Sequence, residues 1–293
     1  MKQQDCLRRF IFEEHGVRGE WVRLQTSLVE AKQHQRIADD AVDAQMGQAL
    51  AAVVLLSATI KFKGAMIMQI QGGGDLTALV AQASNDRKIR GLARNADSVS
   101  GANLREMVGA GGRLVLTVES DNAEPYQGIV AVEADTLAEV LEVYFKQSEQ
   151  LNTRLWLFAD RNTAAGLLIQ ELPGENKDSA DWERLEMLAA TVTAEELFAL
   201  DCEELLYRLF HQEKVRIFEP EAVEFKCNCS RQKIAGTLLM LGRSELHAIL
   251  QERDDIEVDC QFCGAQYRFD QIDVENLLAN PAAETETNPP TRH

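Results

Sequence analysis

The chain reads as an α+β protein with a mixed sheet-and-helix core domain at its N-terminus, an acidic helical linker and a small C-terminal four-cysteine zinc domain. Three observations predict this. Strand-like apolar runs punctuated by glycines mix with helical patterns through residue 172. A Pro-Gly-polar stretch and two capped, strongly acidic helices come next. Four of the six cysteines then fall within the last quarter of the chain.

Phe10, Ile11 and Phe12 predict a first strand, and Gly16-Val17-Arg18-Gly19 a turn. The alternation through Trp21, Val22, Arg23 and Leu24 predicts a second strand or a short helix entry. From Asp39 to Thr59 the residues Val42, Met46, Leu50, Val53 and Val54 recur three or four apart, the spacing of a helix face. Ala49, Ala51 and Ala52 make that helix closely packed and largely buried. Residues 65–71, 88–93, 113–119 and 128–132 are strand-like, and Met66 with Met68 marks one face of the first of these. Gly72-Gly73-Gly74 and the glycines from 109 to 112 are turns. Residues 136–147 form an amphipathic helix, and 153–159 with 164–171 a closing pair of strands.

The core domain therefore spans residues 1–172, with a linker at 173–224. In it, Thr193 with Glu196 makes a capping box, and Asp201 with Glu204 opens a second helix. Residues 171–224 hold fifteen acidic against five basic side chains, −10 of the chain's net −17, in under a fifth of its length. Self-repulsion of that density predicts low local stability, against the plainer reading of two solvated surface helices. The zinc domain is expected at 225–280, and a Pro-, Thr- and Glu-rich tail at 281–293 is expected to be disordered.

At 293 residues, 45% apolar and 26% charged, the composition is that of a soluble globular protein. No unbroken apolar run reaches the roughly 18–20 residues of a membrane span; Ala49 to Ile60 is too short and ends at Lys61. The N-terminus lacks the basic-then-apolar order of a signal peptide, so a cytoplasmic location is expected, with no membrane partner. The acidic balance argues against nucleic acid, whose phosphates need a surplus of Lys and Arg. In a reducing compartment six cysteines are not a disulfide framework.

Cys227-Asn228-Cys229 precedes Cys260-Gln261-Phe262-Cys263-Gly264 by thirty intervening residues. Tetrahedral zinc needs four sulfurs converging from two short segments, and a Cys-x-x-Cys-Gly turn lets two of them face one point. Residues 256–258 and 266–269 read as the strands of a hairpin around that turn. Residues 231–241 and 245–251 read as short helices capped by Ser230 and Ser244. The spacing favours one structural zinc ion on Cys227, Cys229, Cys260 and Cys263. A thioredoxin-type dithiol lacks its strand-then-helix context, and unrelated buried cysteines do not explain two paired motifs. One detail is unusual: a single residue separates Cys227 from Cys229. Such a pair can close a small strained ring, and strained disulfides are reversible. The site can thus alternate between four thiolates on zinc and two local disulfides without metal.

In these residues the sequence resembles the heat shock protein 33 family of redox-regulated chaperones. The likeness is carried by residues 223–230 (Val-Glu-Phe-Lys-Cys-Asn-Cys-Ser) and Cys260-Gln261-Phe262-Cys263-Gly264. Val17-Arg18-Gly19, Tyr126-Gln127-Gly128-Ile129-Val130 and residues 144–150 (Tyr-Phe-Lys-Gln-Ser-Glu-Gln) extend it over nearly the whole chain. The resemblance implies an ATP-independent holdase, inactive while reduced and zinc-bound, that guards unfolding client proteins under oxidative stress. It implies that oxidants such as peroxide or hypochlorous acid form the disulfides Cys227–Cys229 and Cys260–Cys263 and release the zinc. The zinc domain and linker then unfold, and the oxidised protein forms a homodimer. The rival reading is an enzyme, with a catalytic α+β domain and a purely structural zinc.

Other signals are weaker. Gly72-Gly73-Gly74-Asp75 lacks the Lys-Ser/Thr end of a phosphate loop and reads as a tight turn. His211 and His247 are not needed by a tetrahedron already completed by four cysteines. Cys6 and Cys202 read as small apolar residues rather than reactive thiols. Nothing forms a Ser-His-Asp or Cys-His catalytic set.

Overall fold

The computed structural model describes residues 5–35, 37, 39–121, 123–174 and 179–279. The expected tail at 281–293 lies outside the described residues. The chain divides into two compact units, residues 1–226 and 227–293.

The first unit opens with β1 (Cys6–Phe12) and β2 (Val17–Leu24), an antiparallel hairpin whose turn holds Gly16 at φ +60°. In α1 (Thr26–Lys32) no N-cap side chain bonds the first turn. The Asp5 carboxylate does so instead, accepting from the backbone N–H groups of Gln25, Thr26 and Ser27. Helix α2 (Asp40–Thr59) starts at Asp39, whose side chain accepts from the Ala41 and Val42 N–H groups. Then come β3 (Gly64–Gln71), β4 (Leu76–Ser84), β5 (Lys88–Asn95), α3 (Leu104–Val108), β6 (Arg113–Ser120) and β7 (Ala123–Ala131). Helix α4 (Leu137–Tyr144) carries a full Thr136–Glu139 capping box and widens into a π turn at Phe145–Glu149. Strands β8 (Thr153–Ala159) and β9 (Ala164–Glu171) follow, then α5 (Ser179–Ala189), α6 (Ala194–Ala199) and α7 (Cys202–Phe210). Three short strands end the unit: β10 (Val215–Ile217), β11 (Glu221–Ala222) and β12 (Glu224–Phe225).

Two sheets result. The first runs β10-β1-β2-β9-β8, with β11 also on β1; the second runs β12-β5-β4-β3-β6-β7. All pairings are antiparallel except β12 on β5. Helix α2 lies between the sheets. Its buried residues share one core with Val22, Leu24 and Leu168 of the first sheet and Met66, Met68 and Ile70 of the second. A helix enclosed on both sides is apolar all round, which is why α2 is long and apolar enough to cross a membrane yet is 78% buried here.

The other face of the first sheet is closed by α5, α6 and α7. Trp182, Leu185, Leu197, Leu205 and Phe210 from these helices pack on Phe10, Phe12, Trp21, Leu167 and Ile169. Strand β9 is therefore buried along its whole length, its residues alternating between the two cores. Polar contacts reinforce this cover. Arg23 donates to the carbonyls of Phe198 and Leu200 at the end of α6, where a cation complements the helix dipole. His15 sits between Asp181 Oδ2 (3.0 Å) and Glu213 Oε2 (2.8 Å).

In the second unit, α8 (Arg231–Leu239) and α9 (Arg243–Glu252) precede the hairpin β13 (Asp255–Asp259) and β14 (Gln266–Asp270). Helix α10 (Gln271–Ala279) ends it. Ala235, Leu238, Leu246, Ile256, Phe269 and Val274 are among its few buried apolar side chains.

Several elements differ from expectation. Strand β4, helices α1, α3, α5 and α10 and the three short strands β10–β12 were not predicted, and residues 17–19, expected in a turn, begin β2 because they pair with β1 and β9. Ser230 caps α8 as expected, accepting from the Lys233 N–H. Ser244 does not cap α9: it lies inside the helix, which begins after Gly242 at φ +83°. A left-handed residue there lets the chain turn from α8 into α9 in one step, and glycine alone adopts it without strain.

Candidate metal centre

The second unit brings the four predicted cysteines together. Cys227-Asn228-Cys229 directly precedes Ser230 and α8, so the cap that starts this helix also fixes where Cys229 points. Cys260 and Cys263 sit in the turn between β13 and β14. There the Cys260 N–H donates to the Ala265 carbonyl at 2.8 Å and the Gly264 N–H to the Cys260 carbonyl at 2.7 Å. Gly264 has φ +69°, the left-handed conformation that curls the backbone round the sulfurs.

All four Sγ atoms lie within 4.8 Å of one another. Cys227 and Cys260 are 3.7 Å apart, and Cys229 and Cys263 are 3.4 Å apart. A tetrahedral thiolate site with bonds of about 2.3 Å has edges of about 3.8 Å, whereas a disulfide is about 2.05 Å. The spacing is that of ligands around one ion, and none of the six cysteines is in a disulfide. Burial pushes the Cys263 thiol up to about 12, the neighbouring thiols add to the rise, and the Ala265 N–H opposes it. Four thiolates this close coexist only around a cation. The cluster can hold a thiophilic metal ion.

Two side chains that sequence reasoning missed support the cluster. The Tyr267 hydroxyl donates to Cys229 Sγ at 3.1 Å. Arg231, at the start of α8, lies 4.2 Å over the Phe269 ring and donates to the Arg268 carbonyl and to Asp273. It thereby clamps the segment after Cys229 to β14 and α10. For Tyr267 a signal existed: it shares the inward face of β14 with Phe269 two residues on.

The remaining candidates lie elsewhere. Cys6 is half-buried on β1 and Cys202 buried at the start of α7, and burial pushes both thiols up, away from reactive thiolates. His211 packs near the Tyr207 ring, and His247 Nε2 lies 2.8 Å from Glu275 Oε1. At the glycine turn, Asp75 accepts from the Ser100 N–H and hydroxyl, and the Gly74 N–H donates to the Val108 carbonyl. It is a packed turn.

The family model described as Hsp33 protein matches residues 5–270. The chain belongs to the Hsp33 family. The 33 kDa chaperonin of Nitrosococcus oceani is 49% identical over the full length of both chains. That of Aeromonas salmonicida is 44% identical over 95% of this chain and 96% of its own. A crystal structure of the 33 kDa chaperonin (heat shock protein 33 homolog) from Thermotoga maritima superposes with a TM-score of 0.80 at 23% identity. It covers 95% of this chain and 99% of that one, and shows that the two-sheet core with a four-cysteine unit is the Hsp33 fold. The Hsp33 family is one of redox-regulated holdase chaperones and not of enzymes, so the alternative of a catalytic α+β domain falls away.

Proposed function

We propose that the chain is a cytoplasmic, ATP-independent holdase whose hold on unfolding client proteins is switched on by cysteine oxidation. In the reduced protein Cys227, Cys229, Cys260 and Cys263 bind one Zn2+ as four thiolates; an all-sulfur tetrahedral donor set suits zinc and excludes hard cations. Peroxide then takes two electrons from Cys227 and Cys229, and a second molecule two from Cys260 and Cys263. Each pair closes a disulfide, and each peroxide takes up two electrons and two protons to leave as two waters. The oxidised sulfurs no longer serve as thiolate ligands, so the second unit loses the crosslink between its two cysteine segments.

Structural zinc contributes about 10–16 kcal/mol to small zinc modules, so residues 225–280 unfold. The linker at 173–224 loses its folded anchor, and its charge of −10 between residues 171 and 224 favours leaving the core domain at 1–172. Helices α5–α7 then lift from the first sheet. This uncovers Phe10, Phe12, Trp21, Leu167 and Ile169, together with the apolar faces of the helices themselves. A contiguous apolar surface of that size binds unfolded polypeptide without sequence preference. The oxidised form works as a homodimer.

The observation that carries this reading is the convergence of four sulfurs within 4.8 Å in a member of a chaperone family. Zinc content and reactive thiols, counted before and after peroxide, test it. Loss of one zinc together with four thiols, and suppression of a heated client's light scattering only afterwards, is the expected result. Equal suppression by the reduced, zinc-loaded protein contradicts it.

A further inference from the structure

Tyr267 lies on β14 directly opposite Val258 of β13. Strand alternation turns it inward with Phe269, while Gln266, Arg268 and Asp270 face solvent. Its ring packs on the apolar interior of the second unit, next to the core that contains Ile256 and Phe269. Its hydroxyl reaches past that interior to the other cysteine segment, 38 residues away in sequence, and donates to Cys229 Sγ at 3.1 Å. An amphipathic side chain is suited to this: the ring is fixed by packing, so the O–H points in one direction. A phenol O–H donated to a thiolate draws electron density off the sulfur. That lowers the sulfur's nucleophilicity toward oxidants and fixes the direction of its remaining lone pairs. Groups that hydrogen-bond a metal ligand in this way typically change metal affinity about 10–100-fold when removed.

We propose that Tyr267 is a positioning residue of the redox switch, holding Cys229 on the metal and setting how readily the Cys227–Cys229 pair yields to peroxide. The inference rests on the proposed zinc site and adds a control on it. It also makes the two cysteine pairs unequal. Cys263 lies in the hairpin turn closed by the Cys260 N–H to Ala265 carbonyl bond, a main-chain contact that substitutions other than proline leave in place, whereas Cys229 receives a side-chain hydroxyl, that of Tyr267.

The test compares full-length wild type, Tyr267→Phe and Val258→Ala, each reduced and loaded with Zn2+ or with Co2+. Tyr267→Phe deletes only the hydroxyl; Val258→Ala loosens the same cross-strand pair and leaves the hydroxyl in place. In Tyr267→Phe, chelator competition is expected to show zinc held about 10–100-fold more weakly. Peroxide-driven zinc release is expected to be several-fold faster, and the sulfur-to-cobalt charge-transfer band to move to longer wavelength. Val258→Ala is expected to lower the thermal midpoint without moving that band. If Tyr267→Phe leaves zinc affinity within twofold and the band in place, or Val258→Ala moves the band equally, Tyr267 has no such role. Wild type that takes up neither metal overturns the zinc reading and this one together.

Discussion

Residues 1–226 enclose a 20-residue apolar helix between two six-stranded sheets and cover the first sheet's far side with three more helices. Residues 227–279 have one two-stranded hairpin and three short helices around seven buried apolar side chains. A hairpin with so small a core is marginal in water without a further constraint. A metal ion held by the four sulfurs, as proposed, would supply it, joining the turn of β13 and β14 to the segment before α8. One unit is held by burial spread over many residues; in the proposed function the other is held by a single chemical point that oxidation erases. The acidic helices α5–α7 belong by packing to the first unit and by sequence lie next to the second. That is the position a relay between the two needs.

The largest expected effect separates the units outright. Stripping the metal from reduced protein with a strong chelator removes a contribution on the order of 10–16 kcal/mol from the smaller unit. Amide signals of residues 227–279 should collapse to unfolded positions while those of β1–β9 stay. A smaller unit that remains folded would break the comparison.

Next is Phe210→Ala. Phe210 stacks edge-on against Phe12 at 4.9 Å and lies on the buried face of α7. Losing it should cost about 3–5 kcal/mol, and the loss falls on the packing of α7 against the first sheet. Limited proteolysis of reduced protein should then cut within 179–224 far faster than wild type, and some client holding should appear without oxidant.

Glu20 sharpens the comparison from the other side, because the first unit tolerates an internal defect. Its carboxyl is buried on β2, one oxygen has no partner among the described residues, and burial pushes it up to about 7 against the pull of Arg18, Arg9 and Arg87. A folded acid that holds its proton longer than the unfolded chain loses stability as pH rises from about 4.5 to about 7. Glu20→Gln should remove that slope. Its unfolding free energy relative to wild type should improve by on the order of 3 kcal/mol between pH 4 and pH 8. Thermal melts across that range check it, and parallel curves would contradict the assignment.

The smallest effect is Asp201→Ala. The Asp201 side chain accepts from the Glu204 N–H at the start of α7, and its loss should cost about 1 kcal/mol. A modest rise in cleavage of the same segment, well below that of Phe210→Ala, is the expected readout.

Much of the architecture was legible where local chemistry and tertiary setting agree. Asp39 opening α2, the Thr193 capping box, and strands 153–159 and 164–171 all stand as read. Strand β4 was not legible, because its Leu- and Ala-rich run is neutral in propensity. It is a strand because β3 and β5 pair with it on either side. The short strands β10–β12 owe their existence to β1 and β5, far away in sequence, and no local pattern announces them. The four cysteines were readable from spacing alone. Of Tyr267 only its place on the inward face of β14 was, and Arg231 was not, since the roles of both depend on how the hairpin folds back on α8. The expectation of a weakly held linker also looks different beside the structure. Its acidic side chains are partly answered by Arg8, Arg154 and Arg184, so charge alone does not release it.

Amide hydrogen exchange over α5–α7, in reduced zinc-loaded protein and again after peroxide, measures the relay most directly. These helices are expected to exchange slowly before oxidation and near the unfolded rate after it, while β3–β6 stay protected throughout. Oxidised protein that holds a client with α5–α7 still protected would contradict it.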